Sequence, residues 1–184
     1  MPDITDLLGQ ARSGDRAALD ALFSMLYPEL RRIAHSRLHL GGRDALIDTT
    51  ALVNECYVKL ARAQRLQVAD RAHFFAYSAT VMRSIVVDLA RSRAAERHGG
   101  GAAHVTLSTD LIERLPAGED EILEVHGALE SLAGIDPRLV RLVEMRYFAG
   151  MTDAEIATAL DVSERTVRRD WQKARLLLAV ALKR

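Results

Sequence analysis

Apolar residues recur along this chain at intervals of three and four. Asp15 has the short acidic side chain that suits a helix N-cap. After it come Leu19, Leu22, Phe23, Leu26, Leu30, Ile33 and Ala34, with Arg31, Arg32 and Arg37 on the other side. Gly41-Gly42 break that pattern. The next periodic stretch predicts a helix over residues 50–65, with Leu52, Val53, Cys56, Tyr57 and Leu60 on one face. A third helix is predicted from just after Asp70 to about Arg97. Its stripe Phe75, Ala79, Met82, Val86, Leu89 steps by 4, 3, 4 and 3, which no strand produces.

The pattern then lapses. His98-Gly99-Gly100-Gly101-Ala102-Ala103 is a helix breaker, and residues 106–118 keep no period. Residues 110–124 carry six acidic side chains against Arg114 alone, a net charge of −5. Residues 99–121 are therefore expected to form a flexible acidic linker between two helical domains, 1–98 and 122–184. No segment reads as β-rich, so the predicted fold class is all-α.

The second domain has the sharper local signals. Asp136-Pro137 is an N-cap followed by proline at the first helical position, where its missing N–H costs nothing. That helix carries Leu139, Leu142, Val143 and Tyr147 and stops at Gly150. Thr152-Asp153-Ala154-Glu155 is a capping box, opening a short helix that buries Ile156, Ala157 and Leu160. Small Ala157 permits another helix to cross closely. After the turn Asp161-Val162-Ser163, Ser163 caps a final helix with Val167, Trp171, Ala174 and Leu178 as its buried stripe. Ser163, Arg165, Thr166, Arg168, Arg169, Gln172 and Lys173 form its polar side. Two helices joined by a three-residue turn, the second one basic, make a helix-turn-helix. Arginine forks suit guanine edges in the major groove, while hydroxyls and lysine hold phosphates.

Composition at first argues against nucleic acid. The 184 residues hold 25 Lys+Arg and 25 Asp+Glu, for a net charge of zero. The zero is a sum over opposed segments. Residues 163–184 carry +5 and residues 71–98 carry +3, offset largely by the −5 stretch. A hydrophobic content of 49% supports a real core, and the single Cys56 forbids an internal disulfide and fits a reducing compartment. No signal peptide and no membrane-spanning run is visible, so a cytoplasmic protein without a membrane partner is expected.

The residues Arg146-Tyr147-Phe148-Ala149-Gly150-Met151-Thr152, Glu155-Ile156-Ala157, Leu160, Val162-Ser163, Thr166-Val167-Arg168 and Lys173-Ala174-Arg175 together resemble the C-terminal domain of extracytoplasmic-function (ECF) sigma factors. These belong to the sigma-70 superfamily of bacterial RNA polymerase subunits. The resemblance implies that the helix starting at Ser163 reads the promoter −35 element. In the first domain, residues 52–60 (LVNECYVKL) look like the family helix that docks on core RNA polymerase, which assigns Asn54, Glu55 and Lys59 to that contact. Phe74, Tyr77, Arg83, Asp88 and Arg91 fall where the −10-reading helix has its aromatic, basic and acidic marks. Tyr77, Arg83, Ser84 and Arg91 are the expected −10 contacts. Residues 64–71 are the candidate loop for capturing an unstacked base during melting. Two positions depart from the family's usual residues: Ser84 replaces asparagine and Asp161 replaces glycine. Asp tolerates a left-handed backbone better than most residues, so the turn is expected to survive. Within a sigma factor, the acidic linker is expected to thread a basic channel of the polymerase.

The residues before Leu52-Val53 are also distinctive. Many family members carry acidic residues there, whereas this chain has Asp48-Thr49-Thr50-Ala51. Any of the first three caps a helix well. Alternatively, Thr49 and Thr50 are phosphorylation sites for a Ser/Thr kinase, each phosphate adding about −1.5 to −2 charge at a helix N-terminus. An anti-sigma factor that occludes one or both domains is a further partner by analogy.

Other signals do not rise to a site. His35 and His39 lie one helical turn apart without further ligands, so no metal is expected. Gly99-Gly100-Gly101 lacks the Gly-Lys-Ser/Thr of a phosphate loop, and Cys56 lies on an apolar stripe. No cofactor and no catalytic group is expected. The expected function is a sigma factor that directs core polymerase to promoters and helps open them. The rivals are a stand-alone helix-turn-helix regulator that binds duplex DNA without polymerase, and a helical enzyme or metal protein.

Overall fold

The computed structural model of the chain describes residues 3–38, 47–63, 68–97, 119–147 and 149–182. Among the described residues there are eight α-helices and no strand. They are α1 (Ile4–Arg12), α2 (Arg16–Leu38), α3 (Thr49–Arg62), α4 (Arg71–Arg97), α5 (Glu119–Ile135), α6 (Pro137–Tyr147), α7 (Asp153–Leu160) and α8 (Glu164–Leu182).

Helix starts follow the capping chemistry. The Asp15 carboxylate accepts from the backbone N–H of Ala17 and Ala18 and opens α2. Asp48 accepts from Thr50 N and Ala51 N at 2.8 and 3.0 Å and opens α3. Asp70 accepts from His73 N at 2.9 Å and opens α4. The apolar stripes meet behind these caps. Leu22, Leu26 and Leu30 of α2, Val53, Cys56 and Leu60 of α3, and Phe74, Ala79 and Met82 of α4 share one core with Leu7 and Leu8 of α1. Burial pushes the Cys56 thiol up to about 12, against the opposing pull of Lys59 and a hydrogen bond at Ser78. It is an inert core residue.

Three expectations shift. Residues 4–12 form α1, a helix of nine residues ended by the Ser13-Gly14 turn and too short for its period to stand out in the sequence. The 50–65 helix occupies Thr49–Arg62. The linker and domain boundary also move: α5 begins at Glu119, so residues 119–121 belong to a helix and not to the linker. Acidic residues occur at helix starts as well as in solvated spacers, so charge alone does not distinguish the two. The rest of the linker, the histidines at 39, 98 and 104, and positions 64–67 of the candidate loop lie outside the described residues.

The two halves share a hydrophobic surface. Helices α5, α6 and α7 all pack on α4. Leu142, Met145, Ile156 and Val167 belong to the same cluster as Met82 and Ile85, and Ile122 packs on Val87 and Ala90. A second core, built from Leu129, Leu132, Leu139, Val143, Ala174 and Leu178, holds α5, α6 and α8 together.

Candidate nucleic-acid interface

The helix-turn-helix is assembled from local chemistry. Thr152 accepts from Glu155 N while the Glu155 carboxylate accepts from Thr152 N at 2.8 Å, so the capping box is complete. Helix α7 ends at Asp161, which adopts φ 52° and ψ 52°. This is the left-handed position that glycine takes most easily, and aspartate fills it here. The turn is closed by Val162 N donating to Ala157 O at 2.9 Å. Ser163 Oγ accepts from Thr166 N and lies 3.0 Å from Thr166 Oγ1, which fixes the first turn of α8.

The two faces of α8 separate cleanly. Val167, Ala174 and Leu178 are buried and Trp171 is half-buried, as the stripe predicts. Arg165, Arg168, Arg169, Gln172 and Lys173 are exposed, with Thr166 half-buried between them. Several of these cations already have acidic neighbours. Arg168 pairs with Glu164 at 3.4 Å, Arg169 with Asp170 at 3.2 Å, and Lys173 lies 3.8 Å from Asp136. The Arg168–Glu164 pair is exposed on both sides and contributes little, so a phosphate displaces it easily.

Sequence reasoning missed two residues that hold α8 in place. Asp170 is nearly buried and ion-pairs with Arg138 at the start of α6. Arg146 ion-pairs with Asp153 of α7 and stacks over the Trp171 ring at 4.7 Å. Burial lowers the Arg146 pKa from its ordinary value, with Tyr147 opposing. Both links run from α6 to the helix-turn-helix, so they set the angle at which α8 is presented. An aspartate inside an otherwise basic run, Arg169-Asp170-Trp171, was the signal for the first.

The −10 candidates fare unequally. Tyr77 and Ser84 are exposed on α4. Ser84 Oγ accepts from Lys59 Nζ at 3.0 Å, and Lys59 also pairs with Asp88 at 3.0 Å. Lys59 therefore ties the predicted polymerase helix to the predicted −10 helix. Phe74 is wholly buried, a core residue and not a nucleic-acid contact. Arg83 is also drawn inward: it is 12% exposed and donates to Glu144 of α6 at 2.6 Å. Arg91 is exposed but lies 2.9 Å from His126 Nε2 of α5.

On α3, Asn54 and Glu55 are exposed beside each other. Asn54 lines a surface groove with Phe23, Tyr27 and Tyr57, and Tyr57 donates to Asp20 at 2.6 Å. The threonine pair divides. Asp48 caps α3, so neither threonine is needed for that task; Thr49 is buried and Thr50 exposed. No group of three or more metal-ligating side chains occurs among the described residues, and no described helix is long and apolar enough to cross a membrane.

A capped helix-turn-helix with a cationic outer face has the architecture of a DNA-binding protein. The family model for ECF sigma factors matches residues 1–184, and the chain belongs to that family. Its members are transcription initiation factors that work with core RNA polymerase at promoter DNA, and they are not enzymes. No curated protein and no solved structure matches the chain.

Proposed function

We propose that this protein binds core RNA polymerase in the cytoplasm through α3, directs it to specific promoters through α8, and assists strand opening through α4. The observation that carries this reading is the exposed cationic face of α8. It lies opposite a buried stripe and is held by Asp170–Arg138 and Arg146–Asp153. A helix fixed at its base with Arg165, Arg168, Arg169, Gln172 and Lys173 outward has the geometry for major-groove readout of the −35 element. Ser163 and Thr166 cap its start and stand beside the groove backbone, where hydroxyls meet phosphates.

Asn54 and Glu55 present the polymerase face, with Lys59 behind them joining α3 to α4. Tyr77, Ser84, Arg83 and Arg91 are the −10 set, and Tyr77 at 37% exposure is the aromatic available for stacking on an unpaired base. Residues 119–184 supply the −35 module and the N-terminal four helices supply the polymerase and −10 module. Phosphorylation at the head of α3 falls to Thr50, whose side chain is exposed beside Asp48. A Ser/Thr kinase acting there, or an anti-sigma factor covering α3 or α8, would regulate the same contacts.

The test separates this reading from a stand-alone regulator. Purified protein is mixed with purified core RNA polymerase and run on a sizing column, and separately with duplex promoter DNA in a gel shift. The sigma reading expects co-elution with polymerase and weak binding to duplex DNA alone. Tight sequence-specific binding to DNA without any polymerase complex would establish the regulator instead.

A further inference from the structure

Tyr77, Ser84, Asp88 and Arg91 stand 7, 4 and 3 residues apart on α4, a spacing that puts them on one face, and all four are exposed. One cation from the neighbouring helix lies across this stripe. Lys59 Nζ of α3 donates to Ser84 Oγ at 3.0 Å and to Asp88 Oδ2 at 3.0 Å. Ser84 Oγ in turn donates to Val81 O at 2.9 Å, so its single hydrogen is committed to the backbone. Ser84 therefore has no donor left for a base.

Stability does not account for the Lys59–Asp88 pair. The two side chains are 40% and 61% exposed, and pairs this open contribute little. Helices α3 and α4 are already joined by Val53, Cys56 and Leu60 packing with Phe74, Ala79 and Met82 in one core.

We propose that Lys59, Ser84 and Asp88 form a single base-reading site, and that Lys59 is a specificity-determining residue of the −10 contact. The inference rests on α4 being the −10 helix and adds the base chemistry that this helix selects. An ammonium has three N–H bonds, of which Ser84 and Asp88 take two. Among the described residues, the third N–H and Asp88 Oδ1 have no further hydrogen-bond partner. A carboxylate on a face that meets phosphates is repelled unless a cation offsets its charge and a donor meets its oxygen. Lys59 provides the offset and holds the carboxylate in place. The donor is the exocyclic amine of a base. In the major groove adenine presents N6 and cytosine N4, whereas guanine offers only the acceptors N7 and O6, and thymine only O4. Asp88 Oδ1 accepts from the amine, and where the base is adenine the third Lys59 N–H donates to N7. The site thus selects adenine or cytosine over guanine or thymine at one position of the element.

The test uses holoenzyme assembled from purified core RNA polymerase with the parent chain, Asp88→Asn, Lys59→Met or Lys59→Arg. Each is run on a promoter library randomised across the −10 element, and transcripts are counted by template sequence. The parent is expected to favour adenine or cytosine over guanine and thymine about tenfold or more at one position, the range of one base contact. Asp88→Asn, which adds a donor where only an acceptor stood, is expected to lower that ratio about tenfold at that position alone. Lys59→Met is expected to lower the same ratio, and Lys59→Arg, whose guanidinium also reaches both partners, to retain it. Asp88→Asn is isosteric and decides the matter if Lys59→Met does not fold. A parent profile with no such position would overturn the proposal, as would folded variants with the parent's profile. Lys59→Met that weakens core-polymerase binding, or lowers only the melting temperature, with base preference unchanged would make Lys59 a polymerase contact or a helix clip instead. No transcript from the parent holoenzyme removes the sigma reading and this inference together; transcription with unchanged profiles removes the inference alone.

Discussion

The Asp170 carboxylate of α8 accepts from the Arg138 guanidinium of the first turn of α6, joining segments 32 residues apart. Asp170 is 7% exposed on its side chain and Arg138 is 41% exposed. Removing the aspartate therefore leaves a cation that water still reaches, which limits the penalty. Asp170→Ala is expected to destabilise the protein by about 1–3 kcal/mol, as for loss of a hydrogen bond to a charged group. Urea unfolding measures it. A loss within error of zero would mean that the apolar stripe and the Arg146–Trp171 contact hold α8 without help from this pair.

The turn between α7 and α8 makes a second prediction with opposing terms. Asp161 sits at φ 52°, so glycine would relieve backbone strain there but also loosen the unfolded chain. The two effects nearly cancel, and Asp161→Gly is expected to fall within about 0.5 kcal/mol of the parent. Asp161→Val meets the strain without local hydrogen bonding and is expected to cost more than about 1 kcal/mol. The pair of melting curves distinguishes a tolerated αL residue from one that makes a specific contact.

Capping boxes and turns of this kind are legible in a sequence because their partners lie three or four residues apart. Thr152 with Glu155, Asp48, Asp70 and Ser163 all behave as their residue types require. The α8 stripe was equally readable, since a period of 3.6 needs no knowledge of what it packs against. The seam between halves was not readable. Glu144 stands in Leu142-Val143-Glu144-Met145, a run buried on every side in α6, and its partners Thr80 and Arg83 lie more than 60 residues earlier. Arg83 looked like a solvent-facing cation because the helix that covers α4 follows the acidic stretch. Position on a helix was legible; the company it kept was not.

Face residues of α8 are expected to separate by role. Arg165→Ala should reduce promoter-dependent transcription about 10- to 100-fold, the range of one lost base contact, and relax preference at one base pair. Lys173→Ala should weaken binding evenly across sequences and lower the salt slope by about one unit. Neither should shift the melting temperature measurably, since both side chains are exposed. Transcription assays over a salt series on single-base promoter variants provide the comparison.

If the head of α3 is phosphorylated, Thr50 is the expected site rather than Thr49, because only Thr50 presents its side chain to solvent. Thr50→Glu is expected to change affinity for core polymerase, while Thr49→Ala with Thr50 intact preserves the response to a Ser/Thr kinase. A phosphate there adds about −1.5 to −2 charge beside the α3 N-terminus. Mass spectrometry of the kinase-treated protein, followed by polymerase titration, locates the site; modification on Thr49 would contradict the assignment.

Run-off transcription with purified core RNA polymerase, with and without this protein, tests the central claim most directly. The account predicts discrete transcripts from a subset of genomic promoters only when the protein is present, and their loss in the combined Arg165→Ala and Arg169→Ala variant. Identical transcript patterns with and without folded protein, on every promoter tried, would contradict it.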